Sequence, residues 1–248
     1  MIKLLSLTIF FCILSIGLKA QTEDEQLSWV IDELKLNKDS ILLDLSAIKK
    51  YPANVDLTIV CIPSIVEYNC GEECWTADVF VAILNKRTKK VIYQNFKRSL
   101  SSDAVYPSKI WIDTAPYNVS PKERAFAIRI EAKNDSQAAS FSGEEFWLML
   151  AKPEKVERLL QLDSETFISY GGGDCESTEI HKQKSTFVLS DKLNDKGYFD
   201  LVEKINYQHF FLTEECEDGK KEIKNFKNTF KYKEGQYLAE GKREKGLE

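Results

Sequence analysis

Between Val55 and Tyr237 the sequence breaks into short runs of alternating apolar and polar residues, separated by clusters of Gly, Asn, Asp, Pro and Ser. An alternation with a period of two puts successive side chains on opposite faces of a strand, so one face can be buried and the other wetted. Arg124 to Lys133 shows it most cleanly, with Phe126, Ile128, Ile130 and Ala132 on one side and Arg129 and Glu131 on the other. About ten such runs, roughly 8–12 residues apart, predict an antiparallel sandwich or an open barrel. No strand–helix–strand alternation is present, which excludes a parallel nucleotide-binding sheet. Further strands are expected over Asp56–Val66, Thr76–Leu84, Lys90–Leu100, Ile110–Asp113, Glu145–Lys152, Val156–Leu162 (which also reads as a helical turn) and Glu165–Tyr170. The series continues with Glu179–Ser190, Tyr198–Tyr207, Ile223–Tyr232 and a last short strand at Tyr237. Pro63 marks an edge position or a bulge, and Thr114-Ala115-Pro116 is expected to end the Ile110–Asp113 strand.

Two segments precede this β region. Met1 to Ala20 carries Lys3, an uncharged apolar run from Leu4 to Leu18 and a terminal small residue, the layout of a secretory signal peptide. The run is short for a spanning helix, which needs about 20 residues. No membrane span is expected after cleavage. Residues 21–52 form an N-terminal helix and linker. Leu27, Val30, Ile31 and Leu34 share one face of a helix over Glu23 to Lys35. The acids Glu23, Asp24 and Glu25 sit where its dipole favours negative charge. Ser40 to Tyr51 reads equally as a short helix or a strand. The β domain is assigned to 53–240, with a division into two packed subdomains near 163, and 241–248 is left as a frayed charged tail.

Export makes each cysteine a disulfide candidate. Beyond the leader stand Cys61, Cys70, Cys74, Cys175 and Cys216, an odd number. Cys61 lies in an apolar run and is assigned as a free buried thiol. Cys70 with Cys74 is expected to close a turn, and Cys175 with Cys216 to close a long loop, although other pairings satisfy the sequence.

Several blocks resemble a family of exported bacterial β-rich proteins of unknown function. These are Ile112-Asp113-Thr114-Ala115-Pro116-Tyr117, Arg124-Ala125-Phe126-Ala127-Ile128-Arg129 and the Phe141-Ser142 loop with Glu145. The Gly–Cys segment at 171–175, Gly197-Tyr198-Phe199-Asp200-Leu201-Val202 and the stretch from Phe230 to Tyr237 complete the likeness, which spans Val55 to Leu238. It implies a signal peptide followed by a β domain and carries no activity. The Asp191 to Asp200 turn is also similar to the loops of calcium-binding β proteins, including a group related to lysozyme inhibitors. Aligned on Gly197, Lys192 and Lys196 occupy two carboxylate positions and leave only Asn194 and Asp200, too few oxygens for a hard cation.

The sequence holds 34 Lys and Arg against 39 Asp and Glu, a net charge of −5, and loses Lys3 and Lys19 with the leader. That balance argues against nucleic acid as a partner. No nucleophile elbow, zinc-protease helix or phosphate loop is present. Cys70–Cys74 lacks a second pair at zinc-finger spacing. His181 and His209, the only histidines, would need carboxylates or cysteines beside them to hold a metal. Cys175 next to Gly171, Gly172 and Gly173 could act as a nucleophile only with His181 close by, and a structural disulfide is the expected role. No catalytic residue, cofactor or metal is therefore expected. Trp75, Trp111, Asp113 and Tyr117 are the residues expected to line a ligand groove. The expected role is an exported binding or interaction module, envelope-associated or inhibitor-like, with a protein or glycan partner. The alternatives are an envelope glycan hydrolase using a carboxylate pair, and a structural accessory domain.

Overall fold

The computed structural model describes residues 22–52, 54–171 and 175–247. The expected signal peptide, and Gly172, Gly173 and Asp174 of the glycine segment, lie outside the described residues. The described residues are mostly β, with two antiparallel sheets packed together, one α-helix and no closed barrel among them. Among the described residues no helix is long and apolar enough to cross a membrane.

Helix α1 (Glu23–Glu33) begins at Thr22, whose hydroxyl accepts from the Glu25 N–H while the Glu25 carboxylate accepts from the Thr22 N–H. This reciprocal cap satisfies two amides that a helix end would otherwise leave unpaired. The stripe Leu27, Val30, Ile31 and Leu34 packs on Val60, Ile62, Ala82 and Leu84. Gln26 is buried beside it and accepts a hydrogen bond from Thr58. The helix therefore covers one face of a sheet, as its stripe implies.

That sheet contains β1 (Ala47–Lys50), β2 (Leu57–Tyr68), β3 (Trp75–Asn85) and β4 (Lys90–Ser102), in that order. The ambiguous Ser40–Tyr51 stretch follows a 3-10 turn at Lys38–Ser40 and resolves into a second at Leu43–Leu45 and edge strand β1. Pro63 lies just past the residues of β2 that pair with β1, so its missing N–H costs no ladder bond there.

The second sheet contains β5 (Tyr106–Ser120), β6 (Glu123–Lys133), β7 (Ala139–Ala151), β8 (Val156–Tyr170), β9 (Glu179–Leu193), β10 (Phe199–Phe211), β11 (Glu222–Lys233) and β12 (Gln236–Ala239). Every neighbour in it is consecutive in the chain. Ile110, Ile112, Phe126, Ile128, Ile130, Trp147 and Met149 face Ile59, Cys61, Val79 and Val81 of the first sheet. The opposite faces of the same strands, through Val119, Ala125, Ala127, Phe146 and Leu148, pack against Leu201, Phe230 and Tyr237. The eight-stranded sheet thus folds over its own face, and β6 is buried on both sides. The small residues Ala125 and Ala127 fall on the side where the sheet closes over itself.

Two long strands exceed the sequence expectation. Strand β5 runs through Thr114-Ala115-Pro116 because the ladder bulges there. Asp113 accepts from the Ala115 N–H at 2.9 Å, Arg124 donates to the Thr114 carbonyl, and pairing resumes at Tyr117. A bulge needs no N–H from proline. Strand β8 joins two expected segments, with a register shift at Ser164, whose hydroxyl donates to the Glu144 backbone carbonyl at 3.0 Å. Residue 163 therefore lies within a continuous strand, and the chain changes sheet at 103–105 instead.

The tail expected to fray is anchored. Arg243 pairs with the fully buried Glu203, Glu244 exchanges two hydrogen bonds with Asn228, and the Gly246 N–H donates to Gln183. A Cβ at Gly246 would stand 2.2 Å from the Tyr207 ring, so the glycine permits this approach.

Candidate functional site

The four residues expected to line a groove occupy two different places. Trp75 is buried in the core between the sheets. Trp111, Asp113 and Tyr117 lie on the other face of β5 and converge on Arg129. The Arg129 Nε stands 2.9 Å from Asp113, its Nη1 pairs with Glu144, and the Tyr117 hydroxyl donates to Asp113 at 2.7 Å. The guanidinium also lies over Trp111 and Phe146, at 5.2 and 5.0 Å. The three ionic side chains retain only 13–17% exposure. This is a closed brace, not an open groove. Arg129 thus bridges the two carboxylates Asp113 and Glu144.

Burial alone would raise the Asp113 carboxyl, but the Ala115 N–H, the Tyr117 hydroxyl and Arg129 outweigh it and hold the group below its ordinary range. Burial and the Asp113 carboxylate together push Tyr117 up to about 12. A carboxyl with a depressed folded pKa contributes stability above its unfolded value and loses it as pH falls through the folded one. Thermal midpoints measured against pH should therefore fall on the acid side of about pH 4. In Asp113→Asn that acid limb should be shallower and the plateau lower.

An open site lies elsewhere. A trough of about 940 Å³ crosses β8, β9, β10 and β11. Lys182 and Lys184 of β9, Lys204 of β10 and Lys227 of β11 line it, with Asn206, Gln208 and Asn225 between them and Phe167 at one side. Among the described residues Glu165 is the one carboxylate in that lining, 3.3 Å from Lys184. Lys182 lies over Phe167 and Phe210, at 5.7 and 5.1 Å. Lys204 and Lys227 are direct cross-strand partners, and neither has an ion-pair partner among the described residues. Like charges placed opposite each other destabilise a sheet. A second hollow of about 330 Å³ shares Ser142, Glu165 and Phe167 with the trough and extends it toward Glu131 and Lys133.

At the end of β9 and β10 the two histidines are direct cross-strand partners. Their rings stack at 4.7 Å with 20° between planes. Glu179, two residues before His181, stands 3.2 Å from the His181 Nε2 and 2.8 Å from the His209 Nε2. The Tyr207 hydroxyl is 2.8 Å from the His181 Nδ1, and Glu222 is 3.7 Å from the His209 Nδ1. Tyr170 and Phe211, both about half exposed, make edge contacts with this pair. The carboxylate that the sequence reading required beside the histidines is thus present. Its signal was the position of each histidine in adjoining hairpin strands, which becomes informative only with the register.

Disulfides join Cys70 to Cys74 and Cys175 to Cys216. The second ties the segments flanking β9 and β10 at the histidine end, so Cys175 is not an available nucleophile. Cys61 is free, and burial pushes its thiol up to about 12, which leaves it protonated and inert. At the calcium-like turn, Asn194 accepts from the N–H groups of Lys196 and Tyr198 and serves as a turn residue.

These features define an antiparallel two-sheet β protein with a lysine-lined trough. Comparison with protein-family models, curated proteins and solved structures finds no match to this chain.

Proposed function

We propose that the protein is an exported binding module whose trough receives an acidic glycan chain. The observation that carries this reading is the concentration of four lysines in one concave surface of a chain whose net charge is −5. Chemistry favours a glycan. Asn206, Gln208 and Asn225 offer amide donors and acceptors to hydroxyls, the lysines pair with uronate carboxylates, and Phe167 offers a ring face to sugar C–H groups. An anion between Lys204 and Lys227 relieves their mutual repulsion. Two disulfides suit an oxidising compartment, in keeping with export.

The test is binding of polygalacturonate, with neutral dextran and duplex DNA as comparators. Polygalacturonate should bind, weaken as salt rises from about 0.05 to about 0.5 M, and lose on the order of tenfold or more in affinity in Lys204→Glu/Lys227→Glu. Equal binding to dextran, preference for DNA, or indifference to the double charge reversal would each reject the reading.

A further inference from the structure

We infer that Glu179, His181 and His209 form a binding site for a divalent transition-metal ion, independent of the trough. The sequence contains two histidines in 248 residues, and the β9–β10 register sets them opposite each other. Their Nε2 atoms both approach one oxygen, Glu179 Oε1, at 3.2 and 2.8 Å. One donor atom from each of the three residues can be chosen so that all lie within 4.8 Å of one another. A zinc ion holds nitrogen and oxygen ligands at about 2.0–2.2 Å, which puts tetrahedral donors roughly 3.3–3.5 Å apart. The carboxylate–imidazole separations need only small side-chain rotations to reach that spacing.

The opposite ring nitrogens strengthen the assignment. Tyr207 Oη lies 2.8 Å from the His181 Nδ1, and Glu222 Oε2 lies 3.7 Å from the His209 Nδ1. In the tautomer with the proton on Nδ1, that nitrogen donates toward these oxygens and the Nε2 lone pair is left for a metal, the arrangement that accompanies metal-bound histidines. A simple ion pair between one histidine and Glu179 would not require both Nε2 atoms to face the same oxygen. The charges are favourable as well. Glu179 and Glu222 flank the imidazoles, while Lys224 is paired with Glu222 at 2.9 Å.

The donor set selects the ion. Two imidazoles and one carboxylate suit zinc, nickel or copper over calcium or magnesium, which require several oxygens. The side chains of His181, His209 and Glu179 keep 17, 25 and 34% of their exposure. The cluster is therefore reachable from solvent, with the half-exposed rings of Tyr170 and Phe211 against its histidines. The Cys175–Cys216 disulfide braces this end of the two strands without supplying a ligand.

The experiment uses the oxidised full chain, stripped with EDTA and dialysed. Zinc is titrated by calorimetry and cobalt by visible absorption. One equivalent of zinc should bind, and cobalt should give the intense d–d bands of a low-coordinate site. Both signals should disappear in His181→Gln/His209→Gln. Tyr207→Phe removes only the outer oxygen and should weaken zinc by roughly 10–100-fold. Melting each variant in EDTA separates lost binding from lost folding, and Tyr207→Phe tests the site if the double variant melts early. Absence of saturable zinc binding, or wild-type affinity in the folded double variant or in Tyr207→Phe, would overturn the assignment. Loss of binding in Lys204→Glu/Lys227→Glu would also reject it, since those residues belong to the trough.

Discussion

Arg243→Met is expected to destabilise the protein by about 3–5 kcal/mol, the usual cost of leaving one member of a buried ion pair behind. Glu203 has no exposed surface. Its carboxylate accepts from Arg243 Nε at 2.8 Å and from Arg243 Nη2, from the Ser185 hydroxyl at 2.7 Å and from the Asn228 amide at 3.1 Å. Arg243 is the cation in that set, and methionine would keep much of its length while removing the charge and two donors. The carboxylate would then be buried with neutral partners alone. For a chain of this size the loss corresponds to a fall in midpoint of roughly 6–20 °C, taking about 2–4 °C per kcal/mol. Urea unfolding should show a lower midpoint with an unchanged slope. The double change Glu203→Gln/Arg243→Met should cost less than Arg243→Met alone, because the stranded charge is gone. A loss below about 1 kcal/mol in the single variant, the value of an exposed pair, would mean that the tail does not dock in solution.

Cys175→Ser should cost about 4 kcal/mol under oxidising conditions. Its disulfide spans 41 residues, and closing a loop of that length removes unfolded-state entropy of this order. The expected fall in midpoint is roughly 8–16 °C. Reduction of the wild type should reproduce most of it. The comparison is clean because Cys61 is buried and its thiol stays protonated, so Cys216 gains no ready partner. Cys74→Ser should do much less, since its bond joins residues four apart at an exposed turn. If both Cys175→Ser and reduction leave the midpoint unchanged, the disulfide is not a strut.

Most strands were legible because their signals are local. Alternation at Arg124–Lys133, turn residues at Asn85–Lys89 and the stripe at Leu27–Leu34 depend only on neighbours a few residues away. The errors occur where a distant group substitutes for a local one. Pro116 reads as a strand end, yet Asp113 and Arg124 satisfy the bulged backbone and the strand continues. Residues 241–247 read as a charged tail, yet Glu203, forty residues away in sequence, supplies the partner that anchors them. Trp111, Asp113 and Tyr117 read as part of a groove, yet Arg129 draws them into a brace, and Trp75 belongs to a different core.

By itself, then, the sequence determined the strand-rich class, the helix and its buried face, the absence of a parallel nucleotide-binding sheet and the residues available for disulfides. Each follows from side-chain periodicity, turn chemistry or residue type. Only the tertiary structure decided which strands join which sheet, how the eight-stranded sheet folds over itself, and that four dispersed lysines share one trough. It also decided that two histidines twenty-eight residues apart in sequence stand opposite each other beside Glu179. The physical reason is that a strand's pattern specifies which face is buried, whereas register and curvature are set by partners distant in the chain.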